Sequence, residues 1–354
     1  MRLHGGVREA EIDFSVNTNP LGSPEKVREI LAKCLEKRVY ERYPDYNYSR
    51  VKSLLADFYG VQEKYIVPTN GAAEAINLVI TAFRPSKIIV LEPSYGEYED
   101  FAKALGIEYR DTYMRIRGER FYVDTQELEK ECEEDSLIII TNPNNPTGSY
   151  SDRRELINFA KRCEARILLD EAYIELCDSC PIEIGEIPEN IIIIRTLTKW
   201  LSIPGLRIGF TYTLDEKLLE KIDLLRPPWN INSFAECLVE ELFMDKKYLR
   251  DFIEISREFI RSERSRLRDL LRKLGVRVYE SDTNILLLEL VNAQEIIKRL
   301  WRRKIAVRSC VNFKGLGSNY IRIGIKSRDK NDLLIKYLSE EISSGGQRSV
   351  EELH

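Results

Sequence analysis

A lysine directly behind an apolar run is the first feature of this sequence that could carry chemistry. Lys199 ends the segment RTLTK at 195–199, which follows four isoleucines at 191–194. An uninterrupted apolar run of this length predicts a buried strand, so the lysine is expected just past a strand end. Two more polar motifs follow apolar runs in the same way, NPNNPTG at 142–148 and DEAY at 170–173.

These residue types together are the groups that pyridoxal phosphate (PLP) requires from a protein. Its aldehyde needs a primary amine, for which Lys199 is the candidate. Asp170 is suited to keep the pyridine nitrogen protonated, because a nearby carboxylate favours the charged form of a base. Asn145 and Tyr173 can hydrogen-bond the 3-oxygen of the ring, and Tyr95 can stack on its face. The structural alternatives are a surface lysine, a helix N-cap for the aspartate and core packing for the tyrosines.

The phosphate of such a cofactor needs hydrogen-bond donors. Gly71 and Ala72 open a segment with helical periodicity, and the free N–H groups at a helix start favour an anion. Thr196, Thr198 and Arg207 can add hydroxyl and guanidinium contacts. A structural salt bridge is the alternative interpretation for the arginine.

Two late arginines point to the substrate. Arg308 and Arg322 are each flanked by apolar residues of a strand-like segment, an unusual place for a charge that does not face a site. Arginine holds carboxylate or phosphate through two parallel hydrogen bonds. The pair therefore predicts a substrate with two anionic groups, and a structural salt bridge is the alternative for each.

The histidine count and the charge exclude several functional classes. Only His4 and His354 occur, so no HExxH motif, Ser-His-Asp triad or histidine-rich metal site can be built in the core, and we predict no metal. The net charge of −4 gives no broad basic surface for nucleic acid. No apolar run approaches the roughly 20 residues of a membrane span, and the N-terminus lacks the apolar stretch of a signal peptide. We predict a cytoplasmic protein without a membrane contact.

The seven cysteines are scattered over the chain in an odd number. This distribution favours reduced thiols over a disulfide framework. Cys177 and Cys180 form the only close pair, and without a second pair they cannot build a zinc ribbon. We interpret the cysteines as structural or incidental.

Short apolar runs alternate with helical patterns through the first two thirds of the chain. The runs lie at 65–67, 88–91, 137–140, 167–169, 191–194 and 208–212. Because they lack period-2 alternation, they predict a mostly parallel sheet buried between helix layers, with the polar motifs meeting at its carboxyl edge. We predict an N-terminal arm at 1–30 packing with the small domain, a large α/β/α domain at 31–246, and a small α+β domain at 247–354.

These motifs together resemble the fold-type I PLP-dependent enzymes of the class I/II aminotransferase superfamily. The resemblance rests on NPTG at 145–148, D-x-x-Y at 170–173, TK at 198–199 and Arg207. Within the superfamily the chain is similar to the histidinol-phosphate aminotransferase branch. The segments HGG at 4–6 and RSCVNFKGL at 308–316 resemble its threonine-phosphate decarboxylases more than its aminotransferases.

The resemblance implies roles for the individual residues. It makes Lys199 the Schiff-base lysine and brings Tyr43 to the cofactor phosphate of a neighbouring subunit, which implies a homodimer with shared active sites. It also places Arg308 and Arg322 on the anionic groups of a phosphorylated amino-acid substrate. The same resemblance sets two residues of the arm, His4 and Asn19, near the substrate phosphate.

Three functions are compatible with these residues. The first is decarboxylation of L-threonine O-3-phosphate to (R)-1-amino-2-propanol O-2-phosphate in cobalamin biosynthesis. The second is transamination of histidinol phosphate or a related amino acid, and Tyr173 is the residue usual in aminotransferases where decarboxylases can have phenylalanine. The third, of another class, is a PLP-binding regulator or an inactive paralogue.

Overall fold

The computed structural model describes the backbone of residues 5–351 and the side chains of residues 5–342. The strands in chain order are β1 Ile12–Asp13, β2 Ile66–Thr69, β3 Lys87–Glu92, β4 Glu108–Tyr113, β5 Arg115–Arg117, β6 Arg120–Tyr122, β7 Ser136–Thr141, β8 Arg166–Asp170, β9 Ile191–Thr196, β10 Gly209–Thr213, β11 Arg277–Val278, β12 Ile285–Glu289, β13 Ile305–Ala306, β14 Arg308–Ser309 and β15 Tyr320–Gly324. The α-helices are α1 Glu25–Glu36, α2 Ser49–Tyr59, α3 Ala72–Phe83, α4 Glu97–Leu105, α5 Thr125–Leu128, α6 Arg153–Ala160, α7 Leu197–Trp200, α8 Glu216–Leu225, α9 Ser233–Leu242, α10 Lys246–Lys273, α11 Ala293–Arg302 and α12 Arg328–Glu351. Short 3₁₀ helices lie at Val39–Glu41, Glu63–Tyr65, Glu129–Glu131 and Ile174–Leu176.

Seven strands form the central sheet in the order β2-β10-β9-β8-β7-β3-β4. All neighbours are parallel except β10, which runs antiparallel to both β2 and β9. The middle strands are buried on both faces, which explains why their sequences are continuous apolar runs. The predicted α/β fold with a mostly parallel sheet is confirmed.

The strand registers bring the polar motifs to one edge of this sheet. Thr141 at the end of β7 lies opposite Asp170 at the end of β8. On the other side, Gly209 at the start of β10 lies opposite both Thr69 and Thr196. Because β10 is antiparallel, its first residue lies beside the last residues of its neighbours, and the segment before it reaches the same edge.

A second sheet, in the order β11-β12-β15-β14, is antiparallel and packs with α10, α11 and α12. In it Arg308 of β14 lies directly opposite Arg322 of β15. The N-terminal segment joins this part of the molecule, because β1 pairs with β13. Among the described helices, none combines the length and the apolar character needed to cross a membrane.

The prediction of reduced cysteines is wrong. The structure pairs Cys34 with Cys237, Cys132 with Cys163 and Cys177 with Cys180, and leaves Cys310 as a buried free thiol. The sequence shows only spacing along the chain, whereas pairing depends on which helices and loops the fold brings together. The pair Cys34–Cys237, for example, joins α1 to α9 across 203 residues of sequence.

We expect thiol titration of the denatured, non-reduced protein to find one thiol per chain, and seven after reduction. Replacing Cys34 with alanine should lower the free energy of unfolding by about 2–4 kcal/mol, because the bond closes a long loop and restricts the unfolded chain. Denaturant unfolding with and without reductant measures this difference. A wild-type curve that does not change on reduction would contradict the role assigned to the bond.

Candidate active site

A polar cavity of about 400 Å³ contains the lysine that the sequence singled out. Its wall draws on the N-terminal segment, the strand ends of the central sheet and the antiparallel second sheet. The lining residues are Gly5, Ser15, Val16, Asn17, Tyr95, Gly96, Glu97, Glu99, Asp100, Asn145, Tyr173, Lys199, Arg308, Asn312, Phe313 and Arg322. Six of the predicted site residues therefore meet in one cavity: Tyr95, Asn145, Tyr173, Lys199, Arg308 and Arg322.

The short helix α7 positions Lys199 behind strand β9. Thr196 is the N-cap of this helix, and its hydroxyl accepts a hydrogen bond from the backbone N–H of Thr198 at 3.4 Å. The ammonium group of Lys199 lies over the ring of Tyr173, 5.9 Å from the ring centroid. The backbone carbonyl of Lys199 accepts from the N–H of Asn19, which ties the N-terminal arm to the helix that carries the lysine.

Asp170 is a buried carboxylate at the end of β8. Its two oxygens accept from the hydroxyl of Tyr98 at 2.7 Å and from the backbone N–H of Ala172 at 3.0 Å. Burial raises the pKa of Asp170 above its usual value. In the described part of the chain, Asp170 has no side-chain cation within ion-pair distance. A buried carboxylate with two donors and no ion pair is suited to a cationic ligand group.

A buried ion cluster holds the loop after Asp170 in place. Glu171 is fully buried between Arg153 and Arg195, which contact its carboxylate at 2.8 Å each. Because removing one partner would leave an uncompensated buried charge, this arrangement fixes the backbone on either side of Glu171. Asp170 and Tyr173 are thereby held on the cavity side of the loop.

Tyr98 is a positioning residue for Asp170, and its removal has a predictable effect on pH dependence. The hydrogen bond from Tyr98 stabilises the charged form of Asp170 and so lowers its pKa. We therefore expect Tyr98→Phe, which removes this bond, to raise the pKa of Asp170. If activity requires ionised Asp170, lowering the pH should inactivate the variant at a higher pH than the wild-type enzyme. A lost bond of about 1.4 kcal/mol corresponds to a shift of about one pH unit in the acidic limb of kcat.

The matched control for this prediction is Tyr59→Phe. The hydroxyl of Tyr59 donates to Glu175 at 3.0 Å, so the variant also removes a buried tyrosine–carboxylate bond, but outside the cavity. It should lower stability and leave the acidic limb unchanged. If the acidic limb of kcat lies at the same pH in Tyr98→Phe and in the wild-type enzyme, Tyr98 does not position Asp170.

The predicted phosphate donors gather at the start of α3. Gly71 has φ +78° and is followed by the first helical residue, Ala72, at a helix end whose N–H groups have no partner within the helix. A Cβ atom on Gly71 would lie 2.5 Å from a guanidinium nitrogen of Arg207, so only glycine allows this approach. The hydroxyls of Thr196 and Thr198 lie 3.0 Å apart at the same sheet edge.

Asn145 and the two arginines line the cavity together, and Arg322 joins Asn145 to the second sheet. Arg322 donates to Asn145 Oδ1 at 2.6 Å and to the backbone carbonyl of Ser15. Arg308 donates to Asn312 Oδ1 and to the carbonyl of Ser309, both at 2.8 Å. Burial lowers the pKa of both arginines, and for Arg308 the charge of Arg322 adds to this effect. Like charges directly opposite in a sheet destabilise it, so the pair favours an anion between them.

The structure does not bring every predicted residue to the cavity. Asn19 donates to the carbonyl of Trp200 at 2.9 Å and to Ser256 Oγ at 2.8 Å, and its oxygen accepts from Leu21. These bonds occupy its side chain outside the cavity lining. His4, for which a substrate contact was also predicted, lies outside the described residues.

Asn17 is the main cavity residue that the sequence reasoning missed. Asn17 is 2 % exposed, and within residues 5–342 neither its amide nitrogen nor its oxygen has a hydrogen-bond partner. A buried unpaired amide is unfavourable unless a ligand completes it. It belongs to the same NTN segment from which Asn19 was selected, so residue type and position were visible, but the direction of each side chain was not.

Tyr43 lies away from the lysine cavity in this single chain. It is 77 % exposed and stacks on Trp229, with ring centroids 4.4 Å apart. Together they line a separate cleft of about 660 Å³ with the neighbouring segments 40–44 and 228–234.

The cavity residues and the neighbouring strand-end residues fit PLP, although Asp170, Gly71 and Arg207 do not line the cavity itself. Asp170 offers a buried carboxylate to the pyridinium nitrogen, and Lys199 an amine to the aldehyde. The start of α3 behind Gly71 offers backbone N–H donors to the phosphate, and Arg207 offers its guanidinium group. These features define a PLP-dependent enzyme with the aminotransferase fold.

The comparisons with known proteins agree. The family of class I and II aminotransferases matches residues 9–338, and the chain belongs to this family. A threonine-phosphate decarboxylase from Salmonella typhimurium is 31% identical over 95% of each chain. A histidinol-phosphate aminotransferase from Caldanaerobacter subterraneus is 30% identical over 93% of each. The crystal structure of histidinol-phosphate aminotransferase from Clostridium acetobutylicum has a TM-score of 0.85 at 31% identity, covering 94% of this chain and 99% of that one. The cofactor of the family is PLP, and the similar identities do not choose between the two reactions.

Proposed function

We propose that this enzyme decarboxylates L-threonine O-3-phosphate to (R)-1-amino-2-propanol O-2-phosphate in cobalamin biosynthesis. The supporting observation is where the two decarboxylase-like segments lie. Gly5 of the HGG segment and Arg308, Asn312 and Phe313 of the RSCVNFKGL segment all line the cavity that contains Lys199. A Cβ atom on Gly5 would lie 2.3 Å from the carbonyl oxygen of Ser15, so glycine is needed for the arm to pack there.

The substrate fits the charges of the cavity. It carries a carboxylate and a phosphate, and Arg308 and Arg322 supply two adjacent guanidinium groups for them. Asn17 supplies an amide without a protein partner beside them. Histidinol phosphate, by contrast, carries a phosphate and no carboxylate, although its co-substrate 2-oxoglutarate carries two carboxylates.

Each residue has a definite task in the reaction. PLP, when bound, supplies an electron sink for the bond that breaks at the substrate's Cα. Asp170 would keep the pyridine nitrogen of bound PLP protonated, and Asn145 and Tyr173 would hydrogen-bond its 3-oxygen. Lys199, at the cavity wall, would hold a proton that it can return to Cα after CO₂ leaves. The two arginines would fix the substrate's orientation, and this orientation would decide whether the bond to the carboxylate or the Cα–H bond breaks.

A two-substrate assay on the PLP-loaded enzyme tests the proposal. One reaction contains L-threonine O-3-phosphate, and the other contains L-histidinol phosphate with 2-oxoglutarate. Release of CO₂ and aminopropanol phosphate in the first, without glutamate in the second, is the expected result. Glutamate from the second reaction alone would establish an aminotransferase and overturn the decarboxylase proposal.

We further propose that the enzyme works as a homodimer in which Tyr43 completes the neighbour's site. Tyr40, Tyr43, Tyr46 and Trp229 form an aromatic patch in which each side chain is 42–77 % exposed, an arrangement typical of a surface that a partner covers. This patch does not line the cavity of its own chain.

Mixing two inactive variants tests this arrangement. A heterodimer of Tyr43→Ala and Lys199→Ala chains has one site with both defects and one site with none. Activity should therefore return in the mixture, up to about half of the wild-type value per heterodimer. Sedimentation analysis establishes the dimer separately, and a mixture as inactive as its components would exclude a shared site.

A further inference from the structure

A second polar cleft, of about 300 Å³, shares no lining residue with the lysine cavity. Three of its arginines, Arg261, Arg264 and Arg268, come from α10, where spacings of three and four residues place them on one helix face. A fourth, Arg120, comes from β6. The cleft thus lies between α10, the β5–β6 hairpin and the segment 279–282.

The charges in this cleft are not balanced. Arg120 contacts Asp282 at 2.6 Å and Glu280 at 3.5 Å, and Arg264 pairs with Asp178. Glu280 and Asp282 line the cleft, whereas Asp178 is not part of its lining.

The other two guanidinium groups of the cleft, those of Arg261 and Arg268, have no close carboxylate of their own among the described residues. Arg261 reaches Asp178 only at 4.0 Å, and that carboxylate is already bound by Arg264. Arg268 has no ion pair in the described part of the chain, and its buried Nε–H has no hydrogen-bond partner. Arg261 and Arg268 both line the cleft, so their guanidinium groups are available to a ligand that accepts hydrogen bonds.

We propose that this cleft binds a phosphate group, between Arg261 and Arg268. Guanidinium groups hold phosphate oxygens through paired hydrogen bonds, and the surplus positive charge requires an anion. The hydroxyl of Ser265, which also lines the cleft, adds one more donor.

Binding there would reach the active-site loop. Residues 280–282 form one wall of the cleft, and the N–H of Asp282 donates to the carbonyl of Gly148 at 2.9 Å. The N–H of Tyr150 donates in return to the Asp282 carboxylate at 2.8 Å. Gly148 ends the NPNNPTG loop that carries Asn145. An anion that stabilises the wall at 280–282 would therefore also stabilise this loop, because the two bonds of Asp282 connect them.

Residue-resolved arginine modification tests the proposal on the PLP-loaded enzyme. Phenylglyoxal is applied with and without inorganic phosphate at constant ionic strength, and modified peptides are quantified by mass spectrometry. Phosphate at about ten times its Kd should slow modification of Arg261 and Arg268 about tenfold, because only about one site in eleven is then free. Arg28, an 86 % exposed arginine of α1, serves as the internal control and should react at the same rate throughout.

Variants separate this site from the lysine cavity. Arg268→Gln should abolish the protection of Arg261, and Arg28→Gln should preserve it. In Arg308→Gln, which weakens anion binding in the lysine cavity, protection of Arg261 and Arg268 should persist. Unprotected Arg261 and Arg268 in the wild-type enzyme, or protection lost in Arg308→Gln, would overturn the proposal. Glycerol 3-phosphate is the second probe, and stronger protection by it would identify a phosphate ester as the preferred ligand over free phosphate.

Discussion

Lys199→Ala should lose the visible absorbance of the enzyme-bound cofactor and reduce turnover by more than about a thousandfold, since it removes both the amine that holds the aldehyde and the acid–base group at Cα. The fold should persist, because the side chain of Lys199 faces a cavity and its place in α7 tolerates alanine. Absorbance spectra and circular dichroism of the purified variant measure the two outcomes.

Lys326 provides the control for this prediction. It is a second lysine near the cavity, its Nζ donates to the carbonyl of Val16 at 2.8 Å, and burial lowers its pKa to about 8. A lowered pKa leaves part of the amine neutral and nucleophilic near neutral pH, so Lys326 is the chemical rival of Lys199. It does not line the cavity, however. Borohydride reduction and peptide mapping should label Lys199, and Lys326→Ala should keep its colour. Label on Lys326 in the wild-type enzyme would refute the assignment.

The sequence was sufficient to predict the elements that carry strong periodicity. The spacing of apolar residues from Ala72 to Phe83 predicts a helix with the bounds that α3 has, and the charged amphipathic pattern over 248–274 predicts α10 to within two residues at each end. Both combine a clear apolar stripe with a recognisable start or stop. The edge strand β4 was missed because its sequence, EYRDTY, is half exposed and lacks an apolar run.

Direction and register were less visible than the strands themselves. The apolar run of β10 predicted a strand but not its antiparallel direction, because periodicity is the same in both orientations. The connection from β9 to β10, residues 197–208, is long enough for a parallel crossover, so its length gave no signal either. Likewise, each arginine of the pair Arg308 and Arg322 stood out, but their direct opposition depends on the register of β14 and β15.

The site was predictable where a residue follows a strand end and less so where it lies on the arm. Lys199, Asn145 and Tyr173 were found because strand ends of a parallel sheet converge on one edge. No such rule applies to the arm, because an extended segment can turn either asparagine of its NTN motif toward the cavity. In the structure it is Asn17 that lines the cavity. Tyr98 was missed because its tie to Asp170 joins two residues 72 positions apart.

Replacing Arg308 with glutamine should weaken substrate binding without destabilising the protein. The variant removes one of two like charges that lie directly opposite each other, which offsets the loss of the hydrogen bonds from Arg308 to Asn312 and Ser309. The same change removes a charge-assisted bond to the substrate, which should raise KM about 10- to 100-fold. The cofactor contacts lie on other elements, so the cofactor affinity should stay close to that of the wild-type enzyme.

Arg266→Gln is the matched control for Arg308→Gln. Arg266 pairs with Glu263 at 2.7 Å and with Asp332 at 2.5 Å, so its replacement removes attractions rather than a repulsion. We expect it to lower Tm by about 2 °C and to leave KM unchanged. For Arg308→Gln we expect the opposite pattern, a Tm no lower than that of the wild-type enzyme with a raised KM. A large fall in Tm, or equal losses of substrate and cofactor affinity, would show that Arg308 holds the fold and does not bind substrate. A raised KM with a Tm no lower than that of the wild-type enzyme would mean that Arg308 serves substrate binding more than the fold, as is typical of a residue placed for function.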